Sequence, residues 1–134
     1  MDDKNIAITI YLKNGKAVKG PDDFTPVGDV FEKAEIYNDC GVDKIFIFDL
    51  SEDDDDEHEL NLQTIKELNR TLEIKVCAGG NIKRFEDIKK LFYAGCLQVM
   101  LNGSKQNSIE LAEKASKRFG KDRILVSVKN VNFI

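Results

Sequence analysis

The chain has 134 residues, 42% hydrophobic and 33% charged, with a formal net charge of −4. That length predicts one domain, and an acidic balance without a Lys/Arg block argues against a nucleic-acid surface. No apolar run approaches the roughly 20 residues of a membrane span, and Met1-Asp2-Asp3-Lys4 does not open a signal peptide.

Ile6 to Leu12 alternates in the manner of a strand, Asn14-Gly15 is a turn signal, and Lys16-Ala17-Val18-Lys19 returns as extended chain. Gly20 to Gly28 holds both prolines and reads as a loop. Asp29 is the expected N-cap of a helix running to Cys40, with Phe31, Ala34 and Tyr37 at helical spacing and Gly41 as its stop. Lys44 to Leu50 is a near-continuous apolar strand of the kind buried on both faces in parallel sheets.

The run Glu52-Asp53-Asp54-Asp55-Asp56-Glu57 lacks the glycine and spaced ligands of a calcium loop. It reads as a solvated loop whose carboxylates favour the start of a helix from Glu59 to Thr71. Ile74 to Ala78 is a third parallel strand, Arg84 to Ala94 a third helix, and Gln98 to Leu101 a fourth strand. A helix from Ser108 to Phe119, with Ile109, Ala112, Ala115 and Phe119 inward, precedes a last strand from Arg123 to Val128.

Regular strand–helix alternation demands a parallel sheet with right-handed crossovers. A piece of a (β/α)8 barrel and a small doubly wound sheet both fit it. The edge of the last strand has no neighbour in the sequence, which favours association with another copy or with further chain.

Two stretches carry the chemistry. Ala78-Gly79-Gly80-Asn81 and Asn102-Gly103-Ser104 each end an apolar strand in small residues ahead of a helix. Backbone N–H groups and the helix dipole at such turns suit a phosphate, although Gly79-Gly80 also serves simply as a tight turn. Cys40, Cys77 and Cys96 are odd in number and lack metal spacing, so buried, reduced thiols in a cytoplasmic protein are expected. His58 is the only histidine, which excludes a multi-histidine metal site and argues against a Ser-His-Asp triad. No metal and no cofactor is expected.

Ile8 to Gly20, Gly28-Asp29, Tyr37-Asn38, Phe46 to Leu50, Ala78 to Lys83 with Glu86-Asp87-Ile88, and Asn102 to Ser104 together resemble the histidine-biosynthesis (β/α)8-barrel family. That family contains the phosphoribosylformimino-aminoimidazole-carboxamide ribotide isomerase and the cyclase subunit of imidazole glycerol phosphate synthase. The resemblance implies a parallel (β/α)4 half of a TIM-type barrel plus a fifth strand. Residues 1–134 are then one half-barrel domain, the N-terminal part of a longer chain.

It also implies a phosphate at Gly79, Gly80, Asn81, Asn102, Gly103 and Ser104, with Lys19 and Asp49 near the ligand. In the family, aspartates at the ends of the first and fifth strands carry the proton transfers. Here Tyr11 and Lys129 stand at those catalytic positions. Their ordinary pKa values, about 10 and about 10.4, unsuit them as bases at neutral pH unless strongly shifted.

The expectation is a phosphoribosyl-binding barrel domain that is not catalytic on its own. An isomerase or cyclase completed by a missing half, and a structural interaction module, are the alternatives. Expected partners are a phosphoribosyl small molecule and either a second copy or the C-terminal half of a barrel, with no nucleic acid and no membrane.

Overall fold

The computed structural model describes residues 6–127, so Lys129 and Val128 lie outside the described residues. Strand β1 (Ala7–Lys13) turns through Asn14 and Gly15 into β2 (Lys16–Gly20). Both turn residues have positive φ, 52° and 74°, as a two-residue hairpin requires. The pairing runs antiparallel from Tyr11↔Val18 to Lys13↔Lys16.

The stretch Gly20 to Gly28 is not a loop. Asp23–Gly28 forms strand β3, antiparallel to β2, with Pro26 opposite Val18 and an irregular register. All six β3 residues are exposed. The prolines mark a sheet edge, where a missing N–H breaks no ladder.

Helix α1 (Val30–Asp39) is capped by Asp29, whose carboxylate accepts from the Glu32 amide at 3.0 Å. It buries Val30 and Ala34 and leaves Phe31 38% exposed, one position off the expected inward face. Strand β4 (Lys44–Asp49) follows, then α2 (Asp55–Thr71). This helix begins four residues before the expected Glu59. Asp54 caps it by accepting from the Glu57 amide, and Asp55, Asp56 and Glu57 fill its first turn. Half of the acidic run is therefore helix, held there by cap and dipole.

The remaining order is β5 (Val76–Gly79), α3 (Phe85–Tyr93), β6 (Val99–Asn102), α4 (Gln106–Phe119), a short 3-10 turn (Lys121–Arg123) and β7 (Ile124–Ser127). On α4, Ser108, Ala112 and Ala115 face the core, whereas Ile109 is 51% exposed. Cys77 and Cys96 are buried as expected, but Cys40, just past α1, is exposed.

Among the described residues the seven strands form one sheet in the order β3-β2-β1-β4-β5-β6-β7. From β1 through β7 the long crossovers join parallel neighbours in chain order. A doubly wound sheet reverses its strand order at a switch point, whereas a barrel wall does not. The architecture is thus an α/β partial barrel wall with an antiparallel hairpin added beside β1.

Alternation divides the wall into two faces. Ile10, Leu12, Ile45, Ile47, Val76, Ala78, Val99, Leu101 and Ile124 join helix residues such as Ile65, Leu68, Ile88 and Ala112 in one buried cluster. The opposite face carries Tyr11, Phe46, Phe48, Met100 and Leu125. There Tyr11 stacks on Phe48 at 5.9 Å and Phe46 on Phe48 at 6.4 Å between ring centroids.

Candidate functional site

The chemistry-bearing side chains collect where β1, β4, β5 and β6 end and their connections to the next elements begin. Asp49, the last residue of β4, sits opposite Leu12 in the register. It points to the helix side, where its carboxylate is 6% exposed. Its Oδ2 meets His58 Nδ1 at 2.5 Å. Its Oδ1 accepts from Asn61 Nδ2 at 2.7 Å and from the Ser51 amide at 2.9 Å. Burial pushes the Asp49 pKa up, but the hydrogen bonds from His58, Asn61 and Ser51 outweigh it and hold the carboxyl below its ordinary value. The bond to Asp49 raises the His58 pKa, against the opposing effect of burial.

Asn61 is fully buried and joins three elements. Besides Asp49 it donates to the Leu12 carbonyl at 3.3 Å and accepts from the Gly15 amide at 2.8 Å. Glu57 accepts from the Asn14 amide at 2.8 Å and lies 3.2 Å from Lys13 Nζ. Helix α2 thereby grips the β1–β2 turn.

The turn after β5 reaches the same cluster. Gly80 and Asn81 both have positive φ, 78° and 50°. A Cβ on Gly80 would lie 2.6 Å from the Asp49 carbonyl oxygen, so only glycine lets this turn approach β4. Gly79 has a different reason: its missing Cβ makes room for the Phe48 ring, 2.6 Å from where that atom would be. The Asn81 carboxamide lies 2.5 Å from Ser51 Oγ and 3.3 Å from His58 Nδ1. Because Nδ1 donates to Asp49, it cannot also accept from Asn81. Its Nδ2 donates to Ser51 Oγ, and its approach to Nδ1 is a contact rather than a bond.

The turn after β6 is more exposed. Ser104 directs its amide and its hydroxyl onto a single oxygen, Asn102 Oδ1, at 3.0 and 2.7 Å. The Gly103 amide donates to the Ser127 carbonyl at 3.0 Å. Gly79 pairs with Met100 across the β5–β6 ladder, which sets the two turns on adjacent strand ends.

Tyr11 is elsewhere in character. It is half-buried on the aromatic face, the side of the wall opposite to the one Asp49 faces. Lys19 is exposed on β2, lining a hollow of about 260 Å³ with Tyr11, Lys33 and Tyr37 between hairpin and α1. The structure gathers Asp49 and Asn81 and places Lys19 across β1 from them. Sequence reasoning used His58 only to exclude histidine chemistry and Asp87 only within the family resemblance, and gave Asn61 and Ser51 no role. The available signals were the nine-residue spacing from Asp49 to His58, with the helix start between them, and Asp87 at the third position of α3.

A sequence profile of the family described as histidine biosynthesis protein matches residues 5–132. The imidazole glycerol phosphate synthase subunit HisF of Trichormus variabilis is 33% identical over 130 residues, covering 93% of this chain and 49% of that protein. The same subunit of Helicobacter hepaticus is 29% identical over 127 residues, covering 93% and 50%. That of Staphylococcus aureus is 30% identical over 127 residues, with the same coverage of 93% and 50%. The chain spans about half the length of the curated relatives it matches. On a match over nearly its whole length, the chain belongs to the histidine biosynthesis protein family.

Proposed function

We propose that this chain is a half-barrel domain that holds the phosphate of a phosphoribosyl ligand at its β5 and β6 turns and does not perform the family's proton transfer on its own. The convergence of two Ser104 donors on Asn102 Oδ1 carries this reading. A phosphate oxygen can replace that carboxamide oxygen and form stronger, charge-assisted bonds. The N-terminus of α4 begins two residues later, at Gln106, and adds partial positive charge.

Absence of proton transfer is supported by Tyr11, which puts a phenol where the family carries an aspartate. Titration calorimetry with ribose 5-phosphate tests the binding. Ser104→Glu, at an exposed position, is expected to weaken it at least about tenfold by removing a donor and adding repulsion. Heat unchanged by that substitution places the ligand elsewhere. Turnover of the ribotide substrate on the order of 1 s⁻¹ overturns the non-catalytic part.

A second reading is favoured by the aromatic face. Tyr11, Phe48, Met100 and Leu125 stay partly exposed on the side of the sheet without helices. The name of the HisF relatives calls them subunits. Docking of that face against a second copy, or against the other half of a barrel, would bury it. Sedimentation of the purified chain distinguishes a dimer from a monomer.

A further inference from the structure

His58 stands among three elements. From β4 it meets Asp49, and from the β5–α3 connection it meets Asn81. From α3, Asp87 Oδ1 lies 3.8 Å from its Nε2. Asp87 cannot follow the ring, because its Oδ2 accepts from the Lys83 and Arg84 amides at 2.9 and 3.0 Å. The other charged groups facing this point are Lys83, paired with Asp53 at 2.6 Å, Arg84, 3.8 Å from Asp87, and Lys90 of α3. Glu52 and Asp55 line the same hollow, about 220 Å³ in volume.

We propose that His58 is a proton-operated latch on the Gly80–Asn81 turn, closed when the imidazolium bridges Asp49 and Asp87 and released when the ring is neutral. A neutral ring keeps one N–H. Donated from Nδ1 to Asp49, it leaves the Nε2 lone pair facing Asp87. Donated from Nε2, it leaves the Nδ1 lone pair against Asp49 Oδ2. Either tautomer opposes two acceptors, and both carboxylates are only 6% exposed, where salt screens weakly.

The ring relieves this by turning, and Asn81 then loses its neighbour. Asn81 holds a left-handed conformation that surrounding contacts must maintain. Where the phosphate reading holds, anion binding at this turn becomes linked to the proton on His58, reciprocally. Only this last consequence rests on that reading.

Because His58 is the only histidine, its imidazole signals in an NMR titration are unambiguous. Over about pH 6 to about pH 9, the Gly80 backbone amide and the Asn81 side-chain amide are expected to shift with the midpoint of His58. In His58→Gln neither shifts over that range, and in Asp87→Asn the His58 midpoint falls. Amides that ignore the His58 midpoint in the unmodified protein overturn the latch.

Sulfate, which does not titrate over this range, serves as the binding probe. Its affinity is expected to fall at least about fivefold across that rise in the unmodified protein and to stay level in His58→Gln. Equal sulfate affinity at both ends overturns the linkage of the latch to anion binding and leaves the phosphate reading standing. If neither sulfate nor ribose 5-phosphate binds at any pH, the phosphate reading fails, and the amide titration alone decides the latch.

Discussion

His58 Nδ1 lies 2.5 Å from Asp49 Oδ2, joining the end of β4 to the first turn of α2. The pair sits at the centre of a polar cluster that also holds Ser51, Asn61, Asn81 and Asp87. This cluster connects the β1–β2 turn, two strand ends and two helices.

Stability is expected to follow the titration of this pair. The His58 pKa is raised, so its contribution is complete below the ordinary value of about 6.5 and is lost as pH rises through the folded value. The Asp49 pKa is lowered, so its contribution is present above about 3.9 and is lost as pH falls through the folded value. The pair therefore contributes most between about pH 4 and about pH 6.5. Thermal melts across pH check this: the native protein should decline on the alkaline side, and His58→Gln should not.

Asn61→Leu is expected to destabilise by about 3 kcal/mol, because it strands the Gly15 amide and removes a donor from Asp49 and from the Leu12 carbonyl. Urea unfolding measures the loss. A change below about 0.5 kcal/mol would show that water replaces the carboxamide without penalty.

Gly103→Ala and Gly41→Ala separate close approach from backbone conformation. A Cβ on Gly103 would lie 2.0 Å from the Ser127 carbonyl oxygen, so the β6 turn must move. Gly41 has φ +82° with nothing within 4 Å, so alanine there meets only the left-handed penalty, about 1 kcal/mol. Unfolding midpoints should rank Gly103→Ala clearly below Gly41→Ala.

Thiol titration should divide the three cysteines. Burial raises the Cys77 pKa and pushes Cys96 up to about 12, which keeps both as unreactive thiols. Cys40 is exposed. A disulfide reagent at neutral pH is expected to consume one equivalent quickly and the remaining two only after denaturant is added. Rapid reaction of all three would mean that the core around β5 opens readily.

Periodicity determined the strand–helix alternation and the apolar face of most elements, because burial on one side imposes a repeat on the residues themselves; the Asp29 cap came from residue type. Local chemistry also placed the Asn14-Gly15 turn and the small-residue strand ends. Strand order belonged to the tertiary structure: a barrel wall and a doubly wound sheet share one periodicity, and only the register of β1 against β4, then β5, β6 and β7, tells them apart. The hairpin strand β3 escaped for the same reason, since its pairing with β2 leaves no apolar repeat. The His58 cluster was decided by folding alone. Its members stand at residues 49, 51, 58, 61, 81 and 87, and no local pattern joins side chains that meet only when two strand ends and two helix starts converge.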